Sequence, residues 1–125
     1  MIRLGRRSAL AAAAACALIA TVAAAHAAGA FAVGACGAYG YGYDYRKATA
    51  ARAAAIKKCA GDCKIVGEMR RGCAAMAIDA KNPCGSFGWA INAHLGKAEN
   101  ASLRRCYQFG GHACVVRAWA CDEKG

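Results

Sequence analysis

Two stretches of the chain alternate residue by residue. Between Cys36 and Asp44, Tyr39, Tyr41 and Tyr43 fall on one side and Gly40, Gly42 and Asp44 on the other. After Cys84, Phe87, Trp89 and Ile91 oppose Gly88, Ala90 and Asn92. A period of two predicts strands. Each is followed by helical spacing. Ala48, Ala51, Ala55, Ile56 and Cys59 share a face of a helix predicted over 47–59. Ala98, Ser102, Cys106 and Phe109, with Leu103 beside them, share a face of one over 97–109. Gly61 and Gly110-Gly111 supply the stops. Strand-like runs follow at 63–68 and 113–121. A turn at Arg70-Arg71-Gly72 leads into another strand over 73–79, and Lys81-Asn82-Pro83 turns the chain onward. Residues 28–34 read as a short lead of small side chains without structure of its own.

The order strand, helix, strand, strand, strand, helix, strand predicts an α+β fold: one antiparallel or mixed sheet with two helices on one face. In this reading the alanine faces let the helices approach closely, and the aromatic rows fill the space beneath them.

The pattern also repeats. Slid along itself by forty-eight positions, the chain sets Cys36, Cys59, Cys63 and Cys73 near Cys84, Cys106, Cys114 and Cys121. It also sets Tyr39-Gly40-Tyr41 on Phe87-Gly88-Trp89, and Lys57-Lys58 near Arg104-Arg105. Such self-similarity predicts two supersecondary units packed on each other, here halves of about 35–79 and 83–122 within a single domain.

Before that domain lie Arg3, Arg6 and Arg7, an apolar alanine-rich run over 8–25, and Ala25-His26-Ala27. These are the basic, apolar and small-residue parts of an export signal over 1–27. Cleavage there leaves no membrane span and removes Cys16, the odd one of nine cysteines. Loss of the three arginines takes the formal charge from +10 to +7. An even eight cysteines in a periplasmic or secreted chain read as a disulfide framework.

Spacing alone does not select the bonds, but the repeat narrows them. Cys59 with Cys63 and Cys106 with Cys114 bracket equivalent helix-to-strand turns and pair within each half. Cys36 with Cys84 and Cys73 with Cys121 then join repeat mates across the halves. Zinc is the competing reading of Cys-x3-Cys; oxidation on export and the unequal spacing of the two halves weigh against it, and no metal or other cofactor is expected.

Catalysis needs a nucleophile with a base, paired carboxylates or a metal cluster. His94 and His112 stand in no recognisable motif, and Asp44, Asp62, Glu68, Asp79, Glu99, Asp122 and Glu123 are scattered, so no catalytic residues are assigned. Two binding features remain. Lys57, Lys58, Arg104 and Arg105 at helix ends, with Arg70 and Arg71 at a turn, either balance helix dipoles or face an anion. Tyr39, Tyr41, Tyr43, Phe87 and Trp89 are either core or a platform for sugar rings. Export makes nucleic acid an unexpected partner, and no recognition motif accompanies the charge.

The order of Tyr39-Gly40-Tyr41, the alanine helix ending at Cys59, Cys63-Lys64-Ile65-Val66, the strand from Cys73, Gly88-Trp89-Ala90 and Arg117-Ala118-Trp119-Ala120-Cys121 resembles a secreted bacterial family called domain of unknown function number 4189. The resemblance spans about 32–122. It implies a small exported domain with no assigned activity, and points toward periplasmic partners or immunity proteins of secreted toxins. The expectation is a non-catalytic, disulfide-stabilised binding domain of the inhibitor or immunity type, with an unknown protein as partner. The alternative is an envelope module that holds peptidoglycan or another anionic polymer.

Overall fold

The computed structural model describes residues 28–122; the export signal expected over 1–27, Cys16 and Glu123 lie outside them. Eight regular elements follow in order: β1 (Ala28–Gly34), β2 (Tyr39–Tyr45), α1 (Ala48–Lys58), β3 (Cys63–Met69), β4 (Gly72–Asp79), β5 (Phe87–Asn92), α2 (Leu95–Gln108) and β6 (Cys114–Asp122). The class is α+β. The strands form two three-stranded antiparallel sheets, β2-β1-β3 and β5-β4-β6, instead of one.

Each sheet carries its own helix. Ala28, Ala30 and Ala32 of β1 pack on Ala51 and Ala55 of α1 and on Cys59 just past its end. Cys73, Ala75 and Ala77 of β4 pack with Ala98 and Cys106 of α2. The alternate residues of the same strands meet between the sheets, where Phe31, Val33 and Met69 pack against Ala74, Met76, Ile78, Ala118 and Ala120. The result is four layers, helix–sheet–sheet–helix. Complete burial of Phe31, Met69 and Met76 contributes about 1.5–3 kcal/mol each.

Further expectations are corrected. Residues 28–34 are no lead but the buried centre of the first sheet. A strand with helix on one face and sheet on the other is apolar on both, so its sequence does not alternate. The strand over 72–79, expected to end the first half, is the centre of the second sheet, which places both units in the order ββαβ.

The aromatic rows, finally, do not lie beneath the helices; the glycines between them do. A Cβ added to Gly40 would stand 2.7 Å from the Cys59 backbone nitrogen and closer still to the Ala55 carbonyl oxygen. One added to Gly88 would stand 2.5 Å from the Cys106 nitrogen and closer still to the Ser102 oxygen. Helix backbone touches strand backbone at these points, which only glycine permits, and the strand's alternation sends the aromatics to the opposite face. Ile56 and Phe109, expected on the buried helix faces, are exposed.

Candidate functional site

The structure brings the eight cysteines together as Cys36–Cys84, Cys59–Cys63, Cys73–Cys121 and Cys106–Cys114. None of them is left as a thiolate ligand. Cys59–Cys63 and Cys106–Cys114 tie each helix end to the strand that follows. Cys36–Cys84 joins the two units. Cys73 and Cys121 are opposed on neighbouring strands of the second sheet, so this bond staples one sheet and does not cross between units.

The five aromatics divide between two clefts. Tyr39, Tyr41 and Tyr43 stack in sequence, with ring centroids 6.3 and 5.8 Å apart. They flank a cleft of about 580 Å³ whose other wall includes Arg117 and Trp119 of β6. Arg117 lies 5.4 Å from the Tyr39 ring centre and Lys58 5.3 Å from that of Tyr41, so a ring face of each is already covered by a cation. Trp119 is 53% exposed.

Phe87 and Trp89 line a second cleft of about 620 Å³ with Gly85, Ser86, Arg105 and Phe109. Arg105 sits 5.4 Å from the Trp89 ring and donates a hydrogen bond to its carbonyl oxygen at 2.5 Å. Ser86 Oγ donates to the Phe109 carbonyl oxygen at 2.7 Å, which fixes the end of α2 against the start of β5. One cation from each predicted pair, Lys58 and Arg105, is thus attached to an aromatic row. Lys57 and Arg104 are exposed on their helices, and Arg70 and Arg71 are exposed in the β3–β4 turn.

Sequence spacing missed one cluster, the carboxyls of Asp44 and Asp122. Asp122 is fully buried. Its Oδ1 accepts the Asp44 backbone N–H at 3.3 Å, and its Oδ2 has no hydrogen-bond partner. Burial, and then the Asp44 carboxyl, raise its pKa above the ordinary 3.8. Asp44 has φ of 60°, a left-handed conformation that aspartate tolerates, in an irregular stretch of the β1–β2 pairing. Seventy-eight residues separate the two, so no local motif announces the pair.

Asp79 is the opposite case. Its carboxylate accepts the backbone N–H groups of Lys81 at 2.9 Å and His112 at 3.1 Å. Those bonds, His112's first, hold its pKa below 3.8.

These features define a disulfide-bonded α+β domain with cation-flanked aromatic clefts at its surface. The chain belongs to the family described as Domain of unknown function (DUF4189), whose model matches residues 28–121. No curated protein and no solved structure matches the chain.

Proposed function

We propose that this is an exported binding domain that holds another protein, in the manner of an inhibitor or immunity protein, and carries out no reaction of its own. The observation that supports this most is the second cleft. Trp89 and Arg105 are of the types that dominate protein–protein binding energy when buried by a partner, Phe87 and Phe109 are of a type enriched at interfaces, and Phe109 is 70% exposed. Four disulfides suit an oxidising compartment and hold the clefts in shape before the partner arrives, which lowers the ordering cost of association.

The envelope reading draws on the tyrosine cleft, where Trp119 lies beside Arg117. Immobilised oxidised protein exposed to an extract of its own envelope and secreted fraction separates the two. Recovery of one protein near one-to-one is the expected result. Retention of wall polymer alone, weakening as salt rises, would replace the first reading with the second.

A further inference from the structure

The second cleft has a counterpart in the first unit, a smaller cleft adjoining the one walled by Trp119, and the two can be compared position by position because the two units share their strand registers. Val33 pairs with Tyr39 as Ile78 pairs with Phe87, and Phe31 with Tyr41 as Met76 with Trp89. Lys58 precedes Cys59 as Arg105 precedes Cys106. On the far side of each sheet the ladder slips at the same place: Phe31 and Ala32 face Gly67 and Ile65, while Met76 and Ala77 face Ala118 and Val116. The skipped residues, Val66 and Arg117, are therefore counterparts at equivalent bulges, where a side chain is re-aimed.

Arg117 uses its bulge to cover Tyr39 and to donate from Nε to the Gly37 carbonyl oxygen at 3.4 Å. It lines this counterpart cleft together with Tyr39, Tyr41 and Lys58, and the volume there is about 360 Å³. Val66 packs into the inter-sheet core with Trp89 and Ile91. No cation comes from it to cover Phe87, and the second cleft measures about 620 Å³. Phe109, from the end of α2, forms a further aromatic wall.

We infer that the second cleft is a binding site for an acidic peptide segment, taking one aromatic or branched apolar side chain between Phe87, Trp89 and Phe109 and a neighbouring carboxylate at Arg105. This rests on the protein-binding reading and specifies its site. The volume lies within the range of ligand pockets. Charge complementarity sets the sign: the only charged residue lining the cleft is Arg105, Arg104 is next to it, and the chain is strongly basic. Arg105 has five N–H donors, of which the Trp89 carbonyl engages one group, so the fork can still meet a carboxylate. A neutral sugar is a poorer fit, since the Ser86 hydroxyl already donates to the Phe109 carbonyl and such a ligand brings no charge to meet Arg105.

The test titrates the oxidised protein, isotope-labelled for NMR, with a blocked Asp-Phe-Glu tripeptide and with its neutral Asn-Phe-Gln counterpart. The expected result is saturable shifts at the Trp89 indole N–H and the amides of 85–89 and 105–110. The neutral peptide should bind several-fold more weakly, and Phe109→Ala should weaken the acidic peptide about tenfold. Phe109 is mostly exposed, so an unchanged spectrum elsewhere certifies the variant's fold; Arg105→Gln supplies the charge test.

Equal binding of both peptides, no saturable shift, or shifts at Tyr39 and Arg117 instead would overturn the inference. So would saturation of the same resonances by a chitin oligosaccharide, or self-association abolished by Phe109→Ala. A one-to-one complex with an envelope protein that Phe109→Ala and Arg105→Gln leave intact would sink this site while the binding reading stands.

Discussion

Placing the glycines, and not the aromatics, beneath the helices makes a direct prediction for Gly40 and Gly88. Neither has a positive φ, so alanine is acceptable to the backbone and only the space is wrong. At Gly40 the new methyl would lie far inside the 3.0 Å that real Cβ atoms essentially never breach, against Ala55 and Cys59 backbone. Relief requires α1 to move by more than an ångström, and Cys59–Cys63 holds its end. Overpacking of this kind costs about 1–3 kcal/mol, partly offset by about 0.4–1 kcal/mol from the stiffer unfolded chain.

A net loss of about 1–2 kcal/mol lowers Tm by about 4–16 °C in a domain of this size. Gly88→Ala should behave alike, with Ser102 and Cys106 as the obstacles. Gly96, in the first turn of α2 with nothing within 4 Å of its added Cβ, provides the control, because Gly96→Ala gains up to about 0.5–1 kcal/mol from helix propensity. Thermal unfolding followed by circular dichroism, with disulfides verified intact by mass, reads all three. If Gly40→Ala and Gly88→Ala melt with or above the parent protein, the helices do not approach the strands this closely and the facing of both aromatic rows is wrong.

The two aspartates titrate with opposite sign. Asp122, with its pKa raised by burial and then by Asp44, imposes a cost that begins as pH rises past the unfolded value of 3.8 and is complete above the folded value, so Asp122→Asn should raise Tm at pH 7 and leave it unchanged near pH 2. Asp79, with its pKa lowered by the His112 and Lys81 amides, contributes stability present above 3.8 and lost as pH falls through its folded value; Asp79→Asn should lower Tm at pH 7, with the gap closing in acid. Among the disulfides, the chain-entropy relation assigns about 4 kcal/mol to Cys36–Cys84 and about 2 kcal/mol to Cys59–Cys63, whose separations are 48 and 4; paired Cys→Ser variants compared by denaturant unfolding should fall in that order, and a reversed order would discard it. Iodide should quench Trp119 strongly and Trp89 weakly, so Trp119→Phe should remove most of the quenchable emission; survival of the quenching would move the exposed tryptophan to β5.

Much of the architecture was written in local patterns. Helix spacing placed α1 and α2, and alternation placed β2 and β5, because in each the buried and unburied faces differ. β1 escaped for the same reason, since Ala30-Phe31-Ala32-Val33 is buried on both faces and offers no alternation to read. Its copy was present, Ala75-Met76-Ala77-Ile78 in β4, but hidden by a change of offset. β2 and β5 match at forty-eight positions, whereas the paired registers put Phe31 opposite Tyr41 and Met76 opposite Trp89, an offset of forty-five across a longer β4–β5 connection. Sliding the chain by one fixed distance therefore aligned Cys73 with Cys121, which are partners in one sheet and not counterparts in two. The correct counterparts of that bond in the first unit, Ala28 and Arg70, are not cysteines, so the second sheet alone carries the extra staple. The clefts follow the same logic. Alternation revealed the aromatic rows but not the side they face, because that is decided by whether glycine or aromatic can tolerate a helix backbone at van der Waals distance, a property of the assembled layers. Once glycine takes the helix side, the aromatics turn to the opposite face, where Tyr39, Tyr41 and Trp89 pack partly against the core between the sheets, and the bulge residue, arginine in one unit and valine in the other, sets a cation over Tyr39 that has no equivalent over Phe87.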